Sequence, residues 1–351
     1  MNILLQTVKY FEEEVLPIVP KQIQKQVYFG FRSLTLKPFV SLNGNARTVI
    51  SNRSTAESKI GRLVKNPKVS KCFSGLVSSL HLVNPQDTIN VDFSSFGGFE
   101  ILTFAKQTHL GRAVPLYFSV LKYPIIDPGS QTIFIMDTIE KFVNLLGFCP
   151  HLVFDRGFES PYLMPFLTKK KYLFTVRIKA DKHVVVKEFE LPVENYPRDG
   201  VTPTDVLVKV YGQTLRLIIS SKTSEKATDY AEPWYLLTND FVLDKYKILS
   251  GYYFRFEIEE TFKDLKYVNR LKRVFPIRKV QTITNLLWFY TLFIWLAFLT
   301  TAAKKYLEER IKKRKRERLS LPRYLFEQLQ LDRENLLEQA LFTSNLGYVA
   351  N

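Results

Sequence analysis

The spacing of hydrophobic residues divides the chain into a helical beginning and a strand-rich continuation. Residues 1 to about 87 have mostly helical spacing. From residue 88 the pattern alternates, and the segments TINVDFSSF and FEILTFAKQ predict two strands around Gly97-Gly98, a pair that suits a hairpin turn. The segment from Arg112 to Tyr123, RAVPLYFSVLKY, predicts a third strand.

Helices and strands then alternate as far as residue 180. Residues 131–147, QTIFIMDTIEKFVNLLG, have helical spacing and end in Gly147, which suits a C-cap. The segments HLVFD, PYLMPFLTKK and KYLFTVRIK predict a short buried strand, a helix and a further strand. Three strands followed by helix, strand, helix and strand predict an α/β fold.

Residues 181–240 interrupt this α/β core with a β-rich stretch. The segment DVLVKVYGQTLRLII alternates on both sides of Tyr211-Gly212-Gln213 and predicts a hairpin. WYLLTND, which starts at Trp234, predicts another strand. We interpret this region as an insertion. Helical spacing returns from Leu249 to Lys266.

A strongly apolar segment follows at residues 286–299, LLWFYTLFIWLAFL. Its apolar run of 14 residues is shorter than the roughly 20 that span a bilayer, so it predicts a buried core helix. The alternative is a membrane-associated basic protein built around this segment. Residues 304–323 hold ten Lys/Arg against three Glu, which suits either a solvated basic helix or a DNA contact.

The charge of the chain points to a polyanionic partner. The formal net charge is +16, which favours nucleic acid or an anionic membrane surface. Residues 47–71 contain seven basic residues and one acidic residue, Glu57. This basic cluster is either a phosphate-contacting surface or a solvated basic face. The seven are Arg47, Arg53, Lys59, Arg62, Lys65, Lys68 and Lys71. Cys72 and Cys149 lie far apart and match no metal spacing, so a reducing compartment is expected.

Residues 252–266 combine aromatic, acidic and basic residues in one helical stretch. On a helix of 100° per residue, four side chains fall within an arc of about 60°, namely those of Tyr252, Arg255, Glu259 and Lys266. A carboxylate among cationic and hydroxyl donors suits a metal ion next to a phosphodiester. Lys263 falls on the same face, where it is placed either to contact DNA or to pair with Glu259 one turn away.

Other acidic residues could complete such a site. On the same helix, Glu257 and Glu260 point about 160° and 100° away from Glu259 and are poorer candidates. Asp92 lies within an apolar strand and Asp155 closes another, and a charge in such a place is costly unless it is paired or metal-bound. The alternatives are a surface aspartate at a strand edge and a turn former before Gly157.

Two strand-borne aspartates with one helix-borne glutamate would form an oxygen-rich Mg²⁺ site. Such a site can hold two ions about 4 Å apart, one activating the nucleophile and one stabilising the leaving oxygen. The four histidines are scattered and predict no competing metal site: they are His81, His109, His151 and His183.

The spacing Tyr252-x2-Arg255-x3-Glu259-x6-Lys266 resembles the Y-(2)-R-(3)-E-(6)-K signature of a large group of bacterial insertion-sequence DDE transposases. The contexts VDFSS and VFDRGF, around Asp92 and Asp155, are similar to the first and second acidic motifs of that family and occur in the same order. The similarity covers residues 88 to about 300.

The resemblance implies an α/β protein with a ribonuclease-H-like catalytic core and a β-rich insertion before the glutamate. The residue pattern adds helical N- and C-terminal regions, over which the similarity is weak or absent. The regions are then 1–87 (basic, DNA-binding), 88–180 (first part of the core), 181–240 (insertion), 241–300 (rest of the core, with the signature helix and the apolar helix) and 301–351 (basic C-terminal region). Relatives can use an aromatic residue late in the insertion to trap a flipped base, but for Trp234 a core position is the preferred interpretation.

The resemblance also implies roles for the site residues. Asp92, Asp155 and Glu259 resemble the catalytic triad that binds Mg²⁺, with Mn²⁺ as a substitute, and three further residues resemble the contacts to transposon-end phosphates: Tyr252, Arg255 and Lys266. The implied function is cut-and-paste transposition of double-stranded DNA, through a hairpin intermediate and a homodimer, in the nucleoid of a bacterial cytoplasm. No membrane and no small-molecule substrate are expected. The alternatives are a ribonuclease-H-like endonuclease without strand transfer and an inactive DNA-binding relic.

Overall fold

The computed structural model is a mixed α/β protein with two compact units. Unit 1 combines Met1–Leu82 with Glu260–Asn351, and unit 2 is Val83–Glu259. The structure describes residues 3–36, 52–108, 110–122, 129–198, 200–220, 233–268 and 279–300, and a few positions between 324 and 332. Arg47, Tyr123 and the basic segment 304–323 lie outside these ranges.

Unit 2 is built on one ten-stranded sheet with the order β3-β2-β1-β4-β5-β10-β9-β8-β6-β7. Its strands are β1 (Thr88–Phe96), β2 (Phe99–Lys106), β3 (Val114–Lys122), β4 (His151–Phe154), β5 (Phe174–Ile178), β6 (His183–Val186), β7 (Phe189–Pro192), β8 (Thr204–Val210), β9 (Gln213–Ile219) and β10 (Tyr235–Thr238). The prediction of an α/β fold is confirmed.

The first five strands combine an antiparallel meander with a parallel extension. Strands β1, β2 and β3 pair antiparallel, and β4 and β5 continue the sheet parallel to β1. Gly97 and Gly98 form the β1–β2 turn with φ of 54° and 83°, values that glycine adopts without steric strain. A helix between β3 and β4 packs on this sheet through Phe142, whose ring centroid lies 4.6 Å from that of Phe104.

The helices of unit 2 follow the predicted order. They are numbered after those of unit 1 as α5 (Ser130–Leu146), α6 (Leu163–Lys169), α7 (Lys245–Tyr253) and α8 (Phe256–Lys263), the last of which runs across the unit boundary. Gly147 ends α5 in the left-handed conformation, with φ of 78°, so the predicted C-cap is confirmed.

The β-rich insertion extends the core sheet instead of forming a separate one. Strand β10 pairs antiparallel with β5 on one side and with β9 on the other. The predicted β8–β9 hairpin is confirmed, with Tyr211 at the turn in the left-handed region. The Tyr211 hydroxyl donates to the Glu159 carboxylate, and Lys182 lies 2.9 Å from that carboxylate. These contacts tie the insertion to the segment that follows β4.

Two details of unit 2 differ from the sequence prediction. The short hairpin of β6 and β7 was not predicted, because its strands have four residues each and turn at Lys187 with a left-handed φ of 57°. The segment 249–266 was expected to be one helix. Instead α7 ends at Tyr253, the chain turns at Phe254 and Arg255, α8 begins at Phe256, and a π-helix follows at Asp264–Val268.

Unit 1 is helical in its described part. Its helices are α1 (Ile3–Tyr10), a π-helical turn (Phe11–Val15), α2 (Lys21–Leu36), α3 (Arg53–Lys65), α4 (Pro67–Ser79) and α9 (Val280–Leu299). Asn66 alone separates α3 from α4, and its side chain accepts from the Lys68 backbone N–H at 3.0 Å. Asn285 of α9 donates to three backbone carbonyls at the end of α3, those of Leu63, Val64 and Asn66.

The apolar helix α9 is buried, as predicted. Trp288 and Trp295 are at most 1% exposed, and the Trp288 ring stacks near that of Phe73 of α4 at 6.0 Å. The helix belongs to unit 1, and its place in a catalytic core at residues 241–300 stays a prediction. Among the described helices, none is both long and apolar enough to cross a membrane.

Candidate active site

The register of two parallel strands brings Asp92 and Asp155 to the same place. The last aligned pair of β1 and β4 is Val91 with Phe154, so each aspartate is the next residue along its chain. Asp155 therefore lies just beyond the carboxyl end of β4, where α/β sheets commonly bind ligands. Asp92 still belongs to β1, which continues to Phe96.

Asp155 is oriented by the turn that it begins. Its side chain accepts from the Arg156 backbone N–H at 2.8 Å and caps the 3₁₀ helix Arg156–Phe158. The hydroxyl of Tyr252 lies 3.3 Å from the same carboxylate. The Tyr252 ring is fully buried in a core with Val153 and Ile248, so the hydroxyl is held in a fixed position.

The guanidinium of Arg255 lies among three carboxylates. Its Nη1 is 3.3 Å from Asp92 Oδ2, and its Nη2 is 2.8 Å from Glu259 Oε1 and 4.0 Å from Asp155 Oδ2. The Arg255 side chain is 4% exposed, whereas those of Asp155 and Glu259 are 36% and 42% exposed. The cluster is thus closed on the arginine side and open to solvent on the carboxylate side.

The electrostatics of this cluster are unbalanced. Burial raises the pKa of Asp92 to about 6, and the charges of Asp155 and Glu259 act in the same direction, although Arg255 opposes them. Burial lowers the pKa of Arg255, but the surrounding acidic groups raise it overall, so the guanidinium stays charged. The cluster thus holds three acidic side chains around a single guanidinium.

The donor chemistry of the cluster fits a hard divalent cation, because every candidate ligand is a carboxylate. In the part of the chain that the structure describes, however, no three His, Cys, Asp or Glu side chains lie close enough together to form a ready-made metal site. The carboxylates are arranged around the Arg255 guanidinium, which sets their present spacing.

The structure gathers four of the residues that the sequence singled out: the carboxylates of Asp92, Asp155 and Glu259 each lie within 4.0 Å of the Arg255 guanidinium. The Tyr252 hydroxyl adds a contact to Asp155. Glu259 forms an ion pair with Arg255 at 2.8 Å. Lys263 is exposed and pairs with Glu260.

Two candidate residues remain, Lys266 and Trp234. Lys266 belongs to unit 1 and lies on the π-helix, so its contact with DNA stays a prediction. Trp234 packs against the core near Tyr252, with ring centroids 5.2 Å apart, which agrees with the preferred interpretation of a core position.

Three polar residues of the site were missed or set aside by the sequence analysis. Glu257, judged a poor candidate, is buried and accepts backbone N–H groups from Thr108 and Gly111, both at 2.8 Å. Asn90 and Gln107 are buried next to the α7–α8 turn. A polar residue at an inward position of an apolar strand was the available signal for Asn90.

Unit 1 carries an exposed basic surface on α3 and α4. Its residues, all exposed, are Arg53, Lys59, Arg62, Lys65, Lys68 and Lys71. Arg53 pairs with Glu57 at 2.9 Å, and among the described residues of these two helices Glu57 is the sole acidic side chain. The described members of the basic cluster predicted from the sequence are therefore all exposed to solvent on two consecutive helices.

Comparisons with known proteins give no family assignment. No protein-family model matches the sequence, and no curated protein matches it. Among solved structures, one similar chain is the piggyBac transposase in the cryo-EM structure of its synaptic complex with hairpin DNA. The two chains are 12% identical, the match covers 97% of this chain and 82% of that chain, and the TM-score is 0.45. A likeness at this level assigns no activity, so the case for a function rests on the geometry of the site.

Proposed function

We propose that the protein is a DDE-type DNA transposase, which cleaves DNA at transposon ends in a metal-dependent reaction and joins the freed strand to a target. The observation that carries the proposal is the convergence of Asp92, Asp155 and Glu259 on one guanidinium. These carboxylates come from a strand, a strand end and a helix. Carboxylate oxygens gathered in this way are the ligands that a hard divalent cation prefers.

The order of the first five strands supports a ribonuclease-H-like core. An antiparallel meander of β1, β2 and β3 is extended from β1 by the parallel strands β4 and β5. Acidic residues on the first strand, at the end of the fourth and on a late helix fit the DDE arrangement that the Y-(2)-R-(3)-E-(6)-K resemblance implies.

Within this proposal, Asp92, Asp155 and Glu259 hold Mg²⁺, or Mn²⁺ in its place. When bound, the metal supplies an activated water for attack on a phosphodiester and stabilises the leaving oxygen. Tyr252 orients Asp155 through its hydroxyl. Arg255 neutralises the carboxylates in the metal-free protein and exchanges at least one of them for a DNA phosphate oxygen when DNA binds. The freed 3′-hydroxyl then attacks a second phosphodiester, so that one ester bond forms as another breaks.

Binding of double-stranded DNA is supported by charge. The chain carries a formal net charge of +16, and α3 and α4 present an exposed basic surface. Within the proposal Lys263 and Lys266 contact the backbone phosphates of the transposon end. Two copies of the chain bring two ends together as a homodimer on DNA.

The test is nicking of supercoiled plasmid DNA that carries the sequences flanking the gene, in the presence of Mg²⁺. Glu259→Gln is expected to lower the nicking rate by at least about 100-fold, as loss of a metal ligand should. Glu260→Gln is the matched control, because Glu260 lies on the same helix and pairs with Lys263. Equal activity of Glu259→Gln and the control would overturn the assignment of the site.

A DNA-binding protein without catalysis is the second candidate. It is favoured by the position of Arg255, which already partly neutralises the carboxylates, and by the lack of a ready-made metal site among the described residues. This candidate is supported if the protein binds the flanking DNA without nicking it and if Mg²⁺ does not stabilise the folded protein against unfolding. An endonuclease without strand transfer is recognised by nicking activity that fails to join pre-cut ends to a target.

A further inference from the structure

The α7–α8 turn is the element that carries Arg255 into the carboxylate cluster. Helix α7 ends at Tyr253, and the backbone N–H groups of Phe254 and Arg255 bond back to the carbonyls of Ser250 and Tyr252. A helix end leaves several backbone carbonyls without intrahelical partners. Here three carbonyls of this segment, those of Gly251, Phe254 and Arg255, accept from side-chain donors on β1 and on the residue that follows β2.

Asn90 and Gln107 supply those donors. Asn90 Nδ2 donates to the carbonyl of Phe254 at 3.1 Å and lies 3.4 Å from that of Arg255. Gln107 Nε2 donates to the carbonyl of Gly251 at 2.7 Å and to Asn90 Oδ1 at 2.6 Å. Asn90 is fully buried and Gln107 is 7% exposed, so neither amide exchanges these partners for water.

Strand β1 therefore contacts both the backbone carbonyl and the guanidinium of Arg255. Asn90 and Asp92 are two positions apart and point to the same face of the sheet. Asn90 binds the backbone of Arg255, and Asp92 binds its guanidinium at 3.3 Å. Glu257 secures the other side of the turn by accepting two backbone N–H groups of the β2–β3 loop.

We infer that Asn90 and Gln107 are positioning residues of the site, which fix the α7–α8 turn so that Arg255 and Glu259 meet the two aspartates. The role in catalysis rests on the proposed function, whereas the role in fixing the turn does not. Without the Asn90 side-chain donor, the Phe254 carbonyl would keep one hydrogen bond, from the Glu257 backbone N–H. Arg255 would then be able to move relative to Asp92.

The first arm of the test is hydrogen exchange of the backbone amides in residues 251–260, followed by mass spectrometry without DNA or metal. Asn90→Leu keeps the side-chain volume but removes the donor, and exchange in this segment should be about tenfold faster, which is the effect of losing roughly one net hydrogen bond. Gln107→Leu provides an independent second variant. Asn239→Leu is the matched control, because it removes hydrogen bonds to Tyr172 and Phe174 elsewhere in the same unit. Unchanged exchange in 251–260 for both variants would overturn the inference.

The second arm is a double-mutant cycle on nicking activity. Asn90→Leu alone should lower the nicking rate at saturating DNA about tenfold. When Asn90→Leu is added to the Arg255→Gln variant, the nicking rate should change by less than about twofold. The reason is that Asn90 affects the rate only by placing the Arg255 side chain. Additive effects would point to a general loss of structure and contradict the inference. If the unmodified protein does not nick DNA, the proposed function fails, and the exchange measurement still decides the positioning role.

Discussion

Replacing Asp92 with asparagine is expected to stabilise the metal-free protein at neutral pH. Burial raises the pKa of this carboxyl from 3.8 to about 6, so the folded protein disfavours its ionised form. A rise of that size corresponds to about 3 kcal/mol of unfolding free energy lost at pH 7. Because Asp92 retains contact with Arg255 and some solvent, we expect a measured gain of about 1–3 kcal/mol for Asp92→Asn.

The sign of the pH dependence follows from the same shift. A carboxyl with a raised pKa in the folded state is neutral in both states below pH 3.8, so wild type and Asp92→Asn should be about equally stable there. As the pH rises from about 4 to 6, wild type loses stability relative to the variant, and above this range the difference is constant.

The assay is urea unfolding followed by circular dichroism, with a chelator present, at pH 4 and at pH 7.5. Asp205→Asn is a control of opposite sign, because Asp205 pairs with Arg216 at 2.6 Å and its loss should destabilise unit 2 at pH 7.5. Adding Mg²⁺ at about 100 times its Kd should stabilise wild type by about 2.7 kcal/mol and leave Asp92→Asn unchanged. A variant that is less stable than wild type at pH 7.5 would refute the reasoning.

Two further predictions concern the packing of unit 1, and both are measured by urea unfolding. A Cβ at Gly30 would lie 2.5 Å from the ring of Phe289, so Gly30→Ala should destabilise the protein by about 1–3 kcal/mol. Gly75→Ala, on a helix with open space around it, should instead add about 0.5–1 kcal/mol, and equal effects of the two changes would contradict the packing argument. Asn285→Ala removes the donor to three carbonyls at the end of α3 and should cost about 1–3 kcal/mol, whereas an unchanged unfolding midpoint would show that water replaces it.

Elements set by local chemistry were predictable from the sequence. The β1–β2 hairpin was predicted because alternation and the pair Gly97-Gly98 act over a few residues. The C-cap at Gly147 was predicted for the same reason. Asp92 and Asp155 stood out because a charge inside or at the end of an apolar strand needs a partner.

Features that depend on contacts between distant segments were not predictable. The helix expected over residues 249–266 breaks after Tyr253, and the break is stabilised by Asn90 and Gln107, which lie about 150 residues earlier. The place of Arg255 among the carboxylates follows from this break and from the register of β1 and β4. Helical-wheel angles assume one continuous helix, so they placed Arg255 and Glu259 on one face but did not predict the turn at Phe254 and Arg255.

The central claim is that the acidic cluster is a metal-dependent nuclease site. The most direct measurement is cleavage of labelled DNA carrying the element's own ends, with Mg²⁺ or with a chelator, beside the Asp155→Asn variant. We expect nicking at the ends that requires Mg²⁺ and is abolished in the variant. Binding of the same DNA without nicking, or nicking that persists in Asp155→Asn, would contradict it.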